Sequence, residues 1–171
     1  MNILATLDKK YIHCLNVMLY SLRRAEPETE LDVFVLHSGL EESDMEDSRR
    51  VLGEYGGVTL IRVSEEGLAG APVTDRYPRE IYYRIFAAKY LPDTLDRVLY
   101  LDPDLVVNRS LRELYEMPMG TAYFAAASHI GNLLHLVNEL RLDMAEVSPY
   151  INSGVMLMNL RQLRAEQDTQ A

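Results

Sequence analysis

Four short apolar runs divide the first hundred residues, at 2–7, 31–37, 58–63 and 96–101, and helical patterns fill the intervals between them. From Lys9 to Ala25 the residues Ile12, Leu15, Val17, Met18, Leu19 and Leu22 have largely helical spacing, closed by Pro27. An acidic helix is expected from Glu41 to about Tyr55, ended by Gly56-Gly57. A third is expected from Arg79 to Tyr90, with Tyr82, Tyr83, Ile85, Phe86 and Ala87 inside it and Pro92 just beyond. Before it, Gly67, Gly70, Pro72 and Pro78 mark an irregular loop. This alternation predicts an α/β fold around a parallel sheet, which takes its ligands outside the carboxyl ends of the strands. Asp8 and Asp102 both stand at such ends.

The fourth run continues as Val98-Leu99-Tyr100-Leu101-Asp102-Pro103-Asp104-Leu105-Val106-Val107. Carboxylates within an apolar run are costly unless a cation satisfies them. On an extended chain Asp102 and Asp104 would share a face, and Pro103 biases Asp102 toward that conformation. The pair suits a hard divalent cation, Mg²⁺ or Mn²⁺, shared with substrate phosphates. For a lone D-x-D the alternative is a solvated turn after a buried strand.

A chain of 171 residues suits one domain with a real core, and 48% hydrophobic with 25% charged residues describes a globular chain. A net charge of −9 argues against nucleic acid or an anionic membrane as a default partner, so a phosphate-bearing ligand would need a local cation. The single cysteine, Cys14, excludes an internal disulfide; beside His13 on a helix it is expected to pack in the core, since adjacent helical positions do not face each other. Met1 to Ala5 has no basic leader and no run reaches bilayer length, so a cytoplasmic location is expected. Beyond Val107 the pattern predicts a short helix over 111–115, a strand over 123–127, a helix over 131–142, a buried strand after a polar corner over 150–160, and a helix from Arg161.

Several chemistries are disfavoured. Thr6-Leu7-Asp8-Lys9-Lys10 after the first strand has no glycine-rich phosphate turn, and a G-x-S-x-G elbow is missing. An aspartate-nucleophile phosphatase would carry its aspartate pair on the first strand, whereas here it follows the fourth.

Asn2-Ile3-Leu4-Ala5-Thr6-Leu7-Asp8 with Tyr11, Tyr83-Arg84-Ile85, Val98 to Asp104 and Tyr150-Ile151-Asn152-Ser153-Gly154-Val155-Met156-Leu157-Met158-Asn159-Leu160 together resemble glycosyltransferase family 8, in order along essentially the whole chain. The resemblance implies a single Rossmann-like GT-A domain over residues 1–171. It also implies a retaining hexosyltransferase moving glucose or galactose from a UDP-sugar to a carbohydrate or glycoconjugate acceptor. Asp8 and Tyr11 match positions that bind uracil by hydrogen bonding and stacking. Arg84 matches an arginine reaching the donor phosphate or sugar, Asp102 and Asp104 match the pair holding Mn²⁺ against the diphosphate, and Asn152 and Ser153 match the corner beside the donor sugar. A bound cation with an arginine would stabilise charge developing on the leaving phosphate.

Each residue also has a plainer reading. Arg84 could pair with Glu80 one turn back, Asp8 could cap a helix, Tyr11 could be a surface aromatic, and Asn152-Ser153 could be a simple turn. The chain departs from the family pattern at His129, where the galactosyltransferases would have an aspartate. It also lacks the D-Q-D and H-x-x-G-x-x-K-P-W segments, and His13, His37 and His135 have no spacing to replace the missing metal ligand. The resemblance thus describes a donor-binding part without the family's C-terminal portion, to which any peripheral membrane attachment would belong. Its alternative is a UDP-sugar-binding or regulatory module without transfer activity.

Overall fold

A computed structural model describes residues 1–64, 80–128 and 151–169. The loop marked by Gly67, Gly70, Pro72 and Pro78, together with Arg79, His129, His135, Tyr150 and the helix expected over 131–142, lies outside the described residues.

Strand β1 (Asn2–Thr6) is followed by a 3-10 turn (Lys9–Tyr11) and helix α1 (Ile12–Ala25). Leu15, Met18, Leu19 and Leu22 form the buried stripe of α1 at the spacing of one helical face. Val17, counted with that stripe from sequence, is instead 56% exposed. Strand β2 (Leu31–His37) comes next, then a 3-10 segment (Glu42–Met45) and α2 (Glu46–Leu52). Gly53, at φ 63°, ends α2 in the left-handed region. Gly56-Gly57 therefore does not terminate the helix: these residues open β3 (Gly56–Arg62), paired with Leu31 and Asp32.

The helix expected up to Tyr90 is broken into α3 (Glu80–Tyr83), a 3-10 turn (Arg84–Phe86) and α4 (Ala87–Tyr90). Strand β4 (Arg97–Leu101), α5 (Arg112–Glu116), β5 (Phe124–Ala126), β6 (Val155–Asn159) and α6 (Leu160–Thr169) complete the described elements.

The sheet order is β3-β2-β1-β4-β6-β5. β3, β2, β1 and β4 are parallel, β6 enters antiparallel to β4, and β5 is antiparallel to β6, so β6 alone among the six runs against the others. Successive strand residues serve opposite faces. Ile3, Ala5, Val33, Val35, Leu99 and Leu101 pack with α1 and α2 on one side, while Leu4, Phe34, Leu36, Val98 and Tyr100 pack with Tyr83, Ala87 and Leu160 on the other. The chain leaves β1 toward β2 and β3, then returns to place β4 on the other flank of β1. This reversal opens a crevice at the carboxyl ends of β1 and β4.

Candidate functional site

Each wall of that crevice includes residues just past a strand end. Beyond β1, the Asp8 carboxylate accepts a hydrogen bond from the Lys10 amide at 2.8 Å and caps the 3-10 turn, which presents the 42% exposed ring of Tyr11. Beyond β4 come Asp102, Pro103 and Asp104. A cleft of about 200 Å³ is lined from one side by Asp8 and Tyr11 and from the other by Arg84, Tyr100, Asp102 and Asp104. Glu80 and Ile81 also line it. The strand itself stops at Leu101, and Pro103-Asp104 form a turn. The two aspartates therefore reach the cleft through a bend, not through the alternation of an extended strand.

Arg84 is 9% exposed. Its Nε donates to the Ile81 carbonyl at 2.9 Å, its Nη1 to the Ser153 carbonyl at 2.8 Å, and its Nη2 lies 3.2 Å from Oδ1 of Asp102. The guanidinium stands 4.3 Å from the centroid of the Tyr100 ring. The helical pairing with Glu80 is not made, for Glu80 accepts from Ser38 Oγ at 3.2 Å. Tertiary contacts outcompete the local pair because they satisfy a buried guanidinium, whereas an exposed helical pair contributes only a few tenths of a kcal/mol, about 0.3–0.5. Two guanidinium N–H groups thus donate hydrogen bonds to backbone carbonyls, and Nη2 is held in an ion pair with Asp102.

Asp102 is the junction of the site. Its Oδ1 accepts from the Tyr100 hydroxyl at 2.5 Å as well as facing Arg84, and its amide donates to the Gly154 carbonyl at 2.8 Å. Burial pushes the Tyr100 hydroxyl well above its usual pKa, against the pull of Arg84 and with the help of Asp102, so it remains a donor. Asp104 is exposed and accepts no hydrogen bond among the described residues. Gly154 approaches so closely that a Cβ there would lie 2.7 Å from Oδ2 of Asp102.

Asn152 and Ser153 stand next to this junction without lining the cleft. The Asn152 side chain accepts from the Gly154 amide at 2.9 Å, and Ser153 serves through its backbone carbonyl on Arg84. Cys14 is half-buried, with its thiol 3.3 Å from Nε2 of His13. The expectation of core packing is corrected: Cys14 stands beside the buried stripe of Leu15, Met18, Leu19 and Leu22, not within it. His37 is structural, its Nδ1 accepting from the Leu40 amide at 2.8 Å.

Sequence reasoning missed Tyr100 and Thr6 as members of the site. The available signal was parity, since Tyr100 precedes Asp102 by two residues and Thr6 precedes Asp8 by two.

Asp102 and Asp104 fit a hard cation that completes its shell with substrate oxygens and water. Asp102 keeps Oδ2 without a donor among the described residues, and Asp104 keeps both oxygens. No group of three or more His, Cys, Asp or Glu able to hold a metal occurs among the described residues, so the pair alone would leave most of that shell to the ligand. Among the described residues no helix is long and apolar enough to cross a membrane.

Residues 2–171 match the profile described as glycosyl transferase family 8. The chain is 28% identical to a lipopolysaccharide 1,3-galactosyltransferase of Salmonella typhimurium over 96% of its own length and 50% of the relative's. It is 24% identical to a lipopolysaccharide 1,2-glucosyltransferase of Escherichia coli over 94% of its length and 48% of that protein's. It thus spans about half the length of these curated relatives. The crystal structure of the galactosyltransferase LgtC in complex with donor and acceptor sugar analogs superposes with a TM-score of 0.84 at 31% identity, covering 96% of this chain and 60% of that one.

Proposed function

The chain belongs to glycosyltransferase family 8, and we propose that its cleft binds a UDP-hexose, glucose or galactose, for retaining transfer to a carbohydrate or glycoconjugate acceptor. The single observation that carries this reading is the convergence of Asp102, Asp104 and the buried Arg84 on one side of a cleft whose other side is Asp8 and Tyr11. Residues 1–171 are read as one donor-binding domain.

Asp8 offers carboxylate oxygens to the N–H edge of uracil, and Tyr11 offers a ring on which the base stacks. Asp102 and Asp104 would hold Mn²⁺, with Mg²⁺ as the alternative, against the two phosphates. When bound, the cation supplies Lewis-acid stabilisation of the departing diphosphate. Arg84 is fixed by two backbone carbonyls and by its ion pair with Asp102, so its guanidinium meets developing negative charge without first reorganising. The Asn152-Ser153 corner keeps Arg84 in that position through the Ser153 carbonyl and borders the place of the hexose.

Titration calorimetry of UDP with and without Mn²⁺ tests the reading. Wild-type chain is expected to bind UDP more than tenfold tighter with Mn²⁺, and Asp104→Ala to lose that gain while keeping its melting temperature, since Asp104 is exposed and makes no bond among the described residues. UDP binding indifferent to Mn²⁺ in the wild type would sink the proposal. Release of UDP from UDP-galactose or UDP-glucose would mark an enzyme; tight donor binding without release would favour a binding module.

A further inference from the structure

Tyr100 has no ligand-facing task in the reading above, yet three polar contacts converge on it. Its side chain is fully buried, and its backbone is in register with Leu4 of β1 and Met156 of β6. Its hydroxyl lies 2.5 Å from Oδ1 of Asp102 and 3.2 Å from Oγ1 of Thr6, and its ring carries the Arg84 guanidinium at 4.3 Å.

An ionised carboxylate can only accept, so the Tyr100 proton is committed to Asp102 and the phenolic oxygen is left to accept from Thr6. The order Thr6 to Tyr100 to Asp102 is therefore directional. Oδ1 accepts from the Tyr100 hydroxyl and is ion-paired with Nη2 of Arg84, while Oδ2 receives no donor among the described residues. An aspartate in water turns freely about its terminal torsion and offers either oxygen. Here one oxygen is fastened, so the other is held in a single place.

We infer that Tyr100 is a positioning residue for the cation and diphosphate end of the cleft: it fixes which Asp102 oxygen faces the ligand and sets the Arg84 plane beside it, with Thr6 holding the hydroxyl in register. This inference rests on the UDP and Mn²⁺ reading of the same cleft. Neither Thr6 nor Tyr100 would touch the cation, and both act through Asp102 and Arg84.

The test reads one quantity, the factor by which Mn²⁺ tightens UDP binding, by titration calorimetry on the whole chain. Tyr100→Phe keeps the ring for Arg84 and for the core and removes only the hydroxyl. It is expected to lower the factor about tenfold, the scale of one hydrogen bond to a charged group. Thr6→Val is expected to lower it roughly threefold, in line with a neutral hydrogen bond, and Thr6→Ser to restore it. A loosened fold would weaken UDP binding with and without Mn²⁺ alike, so an unchanged factor in Tyr100→Phe overturns the inference. Where Tyr100→Phe does not fold, equal factors for Thr6→Val and Thr6→Ser overturn it instead. A wild-type chain without any Mn²⁺ effect overturns the UDP reading and this role with it; a wild-type effect that survives Tyr100→Phe overturns this role alone.

Discussion

At the scale of single residues, Gly154 shows how little room the site has. A methyl group there would lie 2.7 Å from Oδ2 of Asp102 and 3.2 Å from Oδ1 of Asn152, so one of these side chains would have to move. Overpacking of this kind costs about 1–3 kcal/mol. Gly154→Ala is expected to lower stability by that amount in urea denaturation and to weaken Mn²⁺-dependent UDP binding about tenfold or more. Gly57→Ala meets open space and is expected to leave the binding unchanged. Equal behaviour of the two variants would show that Asp102 does not depend on the glycine beside it.

At the scale of elements, the outgoing end of α1 is fastened to the segment before α5 by Glu26. This carboxylate is 4% exposed and accepts hydrogen bonds from the hydroxyls of Thr29 and Ser110 and the amide of Leu111. Burial pushes its pKa up, but those three donors, with Arg112 nearby, outweigh burial and hold it below the usual carboxylate range. A depressed folded-state value means that the unfolded chain binds the proton first on acidification. The stabilisation is therefore complete above the unfolded-state pKa and is lost as pH falls through the folded-state value. Glu26→Gln is expected to cost about 1–3 kcal/mol at neutral pH. Urea titrations of the two proteins should converge as pH is lowered from about 5 toward 3, near and below the ordinary carboxylate pKa. A gap that stayed constant would show that the charge of Glu26 contributes nothing.

At the scale of the whole molecule, the cleft exists because β4 returns to the flank of β1 opposite β2, and because β6 delivers the 151–154 corner against the end of β4. A ligand that joins Asp8 and Tyr11 to Asp102 and Asp104 ties two strand ends together and stabilises only the folded chain. At a hundredfold excess over Kd that stabilisation is about 2.7 kcal/mol. UDP with Mn²⁺ is therefore expected to raise Tm by roughly 5–10 °C in a chain of this size. EDTA should remove most of the rise, and a shift untouched by chelation would place the nucleotide away from the aspartate pair.

Much of this was legible in the order of residues. The run Leu31–His37 is a strand with the bounds its apolar pattern gives, and the alternation of runs and helical stripes dictates the α/β class, because periods of 2 and 3.6 are local properties of the chain. The family resemblance followed from the same local runs, and the profile match over residues 2–171 bears it out. Tertiary structure alone decided the rest. Pairing is non-local, so no residue of β6 announces that it runs antiparallel into the β4 edge and brings Ser153 to Arg84. The helix of Arg84 reads as continuous in sequence, yet it is interrupted by a 3-10 turn at Arg84–Phe86. Burial likewise chose Asp102 over Glu80 as its partner, since a guanidinium withdrawn from water takes whichever acceptors the packed core leaves within reach.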